Sequence, residues 1–130
     1  MKKRVYSILL CLGVLLSIFA VGAAAADQGY KLSVTKDGKA FTTGNPKSDA
    51  EQRAYVYVTD HNLIADDRVY ISVWDSANLT TGLNCTGEHQ ITGNSRNLLD
   101  YTVTTAKNQI MYLQLHSLVY SAWVKGHWFS

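Results

Sequence analysis

Two short segments on either side of a polar loop constrain the fold more than anything else in this chain. Tyr55-Val56-Tyr57-Val58-Thr59 and Val69-Tyr70-Ile71-Ser72-Val73-Trp74 are built from β-branched and aromatic residues that alternate with period two, the pattern of a strand with one buried face. A helix would need apolar residues three and four apart. Between the segments, Asp60-His61-Asn62 and Ala65-Asp66-Asp67 interrupt the alternation with turn-forming residues, so the chain reverses or crosses over there.

The rest of the chain repeats this pattern. Residues 30–35 alternate, and Lys36-Asp37-Gly38-Lys39 is a tight-turn signal of the Asp-Gly type, after which Ala40-Phe41-Thr42 is expected to pair back as a short strand. Residues 43–48 contain the single proline, Pro46, and read as a loop. Residues 75–97 are polar, with Gly82, Gly87 and Gly93 spaced through them, and only residues 88–92 suit a short edge strand. Strands are then expected at 98–103, with Leu99, Tyr101 and Val103 on one face, at 110–116, with Met111, Leu113 and Leu115 on one face, and at 123–129. Six or seven strands spaced about ten residues apart predict an all-β antiparallel two-sheet sandwich, with an immunoglobulin-like order as the best fit. A small β-barrel is the alternative, because strand count does not separate open from closed sheets. The Cys…Trp…Cys spacing of antibody domains is absent.

Ahead of all this, Lys2-Lys3-Arg4 precedes an apolar run over residues 5–21 and then Gly22-Ala23-Ala24-Ala25-Ala26 before a polar Asp27. These are the three parts of a secretory signal peptide. They predict a leader at 1–26, cleaved after Ala26, and one secreted domain at 27–130. An uncleaved anchor is the other reading, since the apolar run is slightly short of the roughly 20 residues that span a bilayer. The chain carries 12 basic and 10 acidic residues, but Lys2, Lys3 and Arg4 leave with the leader, so 9 stand against 10 and the net charge becomes −1. That balance gives no electrostatic footprint for nucleic acid, and membrane contact is expected only through the leader. The domain keeps one cysteine, Cys85, so no internal disulfide forms. In the polar stretch Asn84-Cys85-Thr86-Gly87 it is either an exposed thiol able to form an intermolecular disulfide or a small half-buried residue.

Alternation also assigns faces. With Val69, Ile71 and Val73 inward, Tyr70, Ser72 and Trp74 point outward; with Met111, Leu113 and Leu115 inward, Tyr112, Gln114 and His116 do so. In an immunoglobulin-like order the last strand, with Trp123, His127 and Trp128, joins these two in one sheet. The expected ligand-binding face is therefore Tyr70, Trp74, Tyr112, His116, Trp123 and Trp128. Aromatic rings flanked by hydrogen-bonding groups suit a sugar ring or an extended peptide, and the partners this implies are a cell-wall glycan or a surface protein. The competing reading is that Tyr and Trp simply cover a pleated surface.

Other chemistries find little support. His61, His89, His116 and His127 are scattered without metal-ligand spacing, and Asp60, Asp66 and Asp67 share a loop but not the spacing of a calcium loop. No metal or cofactor is expected. Asn78-Leu79-Thr80 and Asn84-Cys85-Thr86 match a glycosylation acceptor, a match that matters only in a cell that glycosylates. There is no nucleophile elbow, no HExxH helix and no glycine-rich phosphate loop, so the chain is not expected to be an enzyme.

In its order of parts the chain resembles small secreted all-β proteins of Gram-positive bacteria, some of them bacteriocin-like. The resemblance is carried by the Lys-rich leader, the Ala cleavage box, the size of the domain and an ending of the type Gly-x-Trp, here Gly126-His127-Trp128. It implies secretion and a β-sandwich, and, as an alternative to a binding or structural module, an effector acting on competing cells. It assigns no functional residue.

Overall fold

The computed structural model describes residues 27–130; the leader and cleavage site expected at 1–26 lie outside the described residues. The alternating segments form nine strands: β1 (Gln28–Val34), β2 (Lys39–Phe41), β3 (Asn45–Pro46), β4 (Arg53–His61), β5 (Val69–Trp74), β6 (His89–Ile91), β7 (Ser95–Asp100), β8 (Ile110–Ser117) and β9 (Ala122–Phe129). No helix occurs among the described residues. The strands build two antiparallel sheets packed face to face, one in the order β1-β9-β4-β7 and the other in the order β2-β8-β5-β6 with β3 also on β8.

The pairings are nested. β1 pairs with β9, β2 and β3 pair with β8, β4 with β7, and β5 with β6. Nesting of this kind is what one long hairpin gives when it is wound so that successive pairs fall alternately in the two sheets. Further pairings, β4 with β9 and β5 with β8, then close each sheet. With β2 and β3 taken as one interrupted strand, this is an eight-stranded jelly roll.

The immunoglobulin-like order is thereby corrected. It places the last strand beside residues 69–74 and 110–116, whereas β9 lies in the opposite sheet, between β1 and β4. This path brings β9 close to β4 at Gly126. Where β9 passes β4, the Tyr30 hydroxyl donates to the Tyr57 carbonyl at 2.9 Å, and a Cβ at position 126 would stand 1.8 Å from that carbonyl oxygen. Only a strand with glycine at this point fits between β1 and β4.

Alternation works as expected inside the sandwich. Leu32, Val56, Val58, Leu99, Val124 and Trp128 from the first sheet meet Val69, Ile71, Val73, Met111, Leu113 and Leu115 from the second, and all are buried. Each such side chain contributes roughly 1.5–3 kcal/mol by leaving water.

Three expectations change in detail. The Asp-Gly turn forms, with Asp37 at φ 57° and Gly38 N–H donating to Thr35 O at 2.8 Å. It does not close a hairpin, because β1 and β2 belong to different sheets and the turn carries the chain across the sandwich. Residues 95–97, read as loop, open β7. This strand lies at a sheet edge, where polar side chains suffice: Asn97 donates to Val56 O at 3.3 Å and to Ser95 Oγ at 3.0 Å. The strand expected to reach residue 103 ends at Asp100, beyond which Tyr101 N–H bonds to Gln52 O and Thr102 N–H to Cys85 O, both in loops.

Candidate functional site

The outer face of the second sheet collects the residues that the alternation assigned to it. Tyr70 stands opposite His116, Ser72 opposite Gln114 and Trp74 opposite Tyr112, while β2 adds Phe41 opposite Gln114 from the other side. Phe41, Tyr70, Trp74, Tyr112 and His116 are all half-buried. Their rings lie against one another: Phe41 and Trp74 meet edge to face with centroids 5.9 Å apart, and Tyr70 and His116 are tilted at 6.4 Å. Such contacts hold the rings in place while leaving ring surface open to solvent. Polar groups are set among them. Trp74 Nε1 donates to Ser72 Oγ at 2.9 Å, Ser72 Oγ donates to Gln114 Oε1 at 3.4 Å, and His116 Nδ1 pairs with Glu88 Oε1 at 2.7 Å. Ile110, 43% exposed, extends the apolar stripe along β8.

The outer face of the first sheet is also aromatic, but it is arranged differently. Tyr55 stacks on Phe129 at 4.8 Å, and Tyr57 stacks on His127 at 4.5 Å with the rings within 3° of parallel. These are cross-strand neighbours in register. Their ring faces are spent on each other, as in the pairs that stabilise sheets. Arg96 caps the ladder 5.8 Å from the Tyr55 ring, Lys31 lies 5.1 Å above Trp123, and Arg53 bonds Asp100 at 2.5 Å. That hydrogen bond holds the Asp100 carboxyl below the usual carboxylate range.

Cavities are small. One of ≈ 110 Å³ is lined by residues including Asp49, Glu51, Arg53, Tyr55 and Ser130, and another of ≈ 230 Å³ lies between β1 and residues 41–43. Both fall short of the roughly 300 Å³ at which small-molecule pockets begin. Next to the first, Lys47 is buried, its Nζ donating to Glu51 O at 2.5 Å and lying 4.7 Å from the Tyr101 ring. Burial pushes its amine pKa down. These contacts tie the 47–51 loop to the sandwich and give Lys47 a structural role.

The six expected site residues therefore divide. Tyr70, Trp74, Tyr112 and His116 share one face, as expected. Trp123 lies on the outer face of the other sheet, because β9 belongs to that sheet. Trp128 is a correction: it is fully buried in the core, its Nε1 donating to Gln28 Oε1 at 2.9 Å. Positions 123 and 128 are an odd number apart, which on a strand places them on opposite faces. Cys85 is also corrected. It is 1% exposed, and burial, with Asp75 nearby, raises its thiol pKa to about 11. A buried, protonated thiol is not placed to bridge two chains. Asp67, once grouped with Asp60 and Asp66, instead closes its own loop by accepting from Ile64 N–H at 2.8 Å. Among the described residues no three His, Cys, Asp or Glu side chains converge as metal ligands. Phe41 is the residue that the face reading missed; its strand is three residues long and gave no alternation to judge by.

No family model matches the chain, and no curated protein matches it at a significant level.

Proposed function

We propose that this protein is a secreted, non-catalytic binding module that meets a cell-surface ligand through the outer face of the second sheet. The observation that carries the reading is the cluster Phe41, Tyr70, Trp74, Tyr112 and His116, half-buried rings with amide, hydroxyl and imidazole groups set between them. Rings of this kind remove apolar area of a ligand from water, and the polar groups fix its orientation. The opposite face is weaker support for binding, because its rings cover one another. Hydrolysis of a glycosidic bond takes two carboxylates flanking that bond, and of the residues forming this face only Glu88 carries one. Secretion rests on the basic, apolar and Ala-rich order of residues 1–26.

The test is retention of the protein on insoluble cell-wall glycan and on whole cells. Trp74→Ala and Tyr112→Ala should each weaken retention by roughly thirtyfold, the loss expected for a central aromatic anchor, while Trp123→Ala leaves it unchanged. Equal retention of all three variants and wild type would remove this face as the site. Amino-terminal sequencing of the protein from the culture medium should begin at Asp27.

A further inference from the structure

Gln114 points outward from β8, between Tyr112 and His116, yet it is 0% exposed. The geometry of its neighbours explains how. Phe41 on β2 and Ser72 on β5 are its register partners, one on each side. β2 and β5 are separated by β8, so their backbones stand two strand spacings apart, about 9.6 Å. The rings of Phe41 and Trp74 nevertheless meet at 5.9 Å and 87°. They lean toward each other across β8 and roof Gln114.

Under that roof the hydrogen bonds do not close. Ser72 Oγ accepts from Trp74 Nε1 and donates to Gln114 Oε1, and Gln114 Nε2 has no partner. Reversing the amide only exchanges the orphan, leaving the carbonyl oxygen where the amino group stood. A buried N–H without an acceptor is unfavourable, and an apolar side chain of the same length removes it at the cost of only the long 3.4 Å bond that Ser72 Oγ gives Gln114 Oε1. An amide at this point thus works against stability in the free protein.

We propose that Gln114 Nε2 is a recognition donor, kept dry beneath Phe41 and Trp74 and given to an acceptor oxygen of a neutral saccharide when the two rings part. This rests on the reading of the face as a binding surface and adds the ligand class. A saccharide is favoured over a peptide by what the face offers. β8 is paired on both sides, so its backbone groups are taken and no sheet edge is open to a peptide strand here. What remains is ring surface and one amide donor, which match the apolar face and hydroxyl oxygens of a sugar ring. Neutrality follows from the surroundings: Phe41, Ser72, Trp74, Tyr112 and Gln114 are uncharged, and His116 is already paired with Glu88.

The experiment titrates the purified full chain with cellohexaose and with the hexamer of N-acetylglucosamine, reading the heat of binding by calorimetry, and records thermal unfolding of each variant. Wild type should bind at least one probe, Trp74→Ala should bind it roughly thirtyfold more weakly, and Gln114→Met should bind about tenfold more weakly or worse while unfolding at the same or a higher temperature. Loss of binding in Trp74→Ala with wild-type binding in Gln114→Met would overturn the role of Gln114 and leave the face as the site. A Gln114→Met variant that unfolds at a lower temperature shows the amide to be structural, which overturns the proposal too. Wild type that binds neither hexamer overturns the saccharide proposal; retention on whole cells that Trp74→Ala still loses would then keep the face as the site for a different ligand, and equal retention of Trp74→Ala and wild type would remove that reading as well.

Discussion

A methyl group at position 126 would stand 1.8 Å from the Tyr57 carbonyl oxygen and 3.1 Å from the Tyr30 hydroxyl. Backbone cannot yield that distance cheaply, so Gly126→Ala should lower stability by about 3 kcal/mol, at the upper end of the usual cost of overpacking, measured by urea unfolding. Two residues on, Trp128 fills the core. The Gly-x-Trp ending, which in the sequence looks like a family mark, is thus explained by close approach and packing. Cys85 makes a pH prediction. Its thiol is raised from about 9 to about 11 by burial, so in this window the unfolded chain has lost the proton and the folded chain keeps it. Stability should therefore be complete below pH 9 and fall as pH rises toward 11, by on the order of 2 kcal/mol. Burial also raises the Tyr30 and Tyr101 hydroxyls, adding loss in the same direction at still higher pH. Lys47, with its pKa lowered, acts in the opposite sense. Comparison with Cys85→Ala isolates the thiol: the variant should show a shallower decline of unfolding free energy between pH 9 and 11.

Individual strands were readable where one face is buried and the other wet. In β5 and β8 the period assigns both faces, and only Ser72 and Gln114, buried on the outer side, break the alternation of burial. β7 was partly hidden, because an edge strand carries Ser95 and Asn97 without loss when they bond to backbone or to each other. β2 and β3 were hidden for another reason. They form one strand broken over residues 42–44, with Thr42 N–H still bonded to Leu113 O, and no two- or three-residue piece has a period. The aromatic ladder on the first sheet makes its own prediction. In a double-mutant cycle of Tyr57→Ala and His127→Ala the two positions should couple by about 1 kcal/mol, as stacked pairs do. Ligand retention should survive Tyr57→Ala, which separates a face that stabilises from a face that binds.

The winding of the molecule was not readable from pattern at all. Alternation says which side of a strand is buried, and it is silent on which strand lies next to which. An immunoglobulin-like order and a jelly roll place the same inward residues in a core, so alternation leaves the choice between them open. The observed winding joins β1 to β9, nearly the full length of the described chain apart. Topologies dominated by such distant pairings fold slowly, so refolding followed by tryptophan fluorescence should take milliseconds to seconds, and a microsecond phase carrying the full amplitude would contradict it. The two outer faces, one of mutually stacked rings and one with rings over a roofed amide, follow from the same winding. The most direct measurement of the binding reading is a chemical-shift map of the protein titrated with the N-acetylglucosamine hexamer. Shifts concentrated at Phe41, Ser72, Trp74, Tyr112, Gln114 and His116 are the predicted result. Shifts confined to Tyr55, Tyr57, Trp123 and Phe129, or none at saturating sugar, would contradict it.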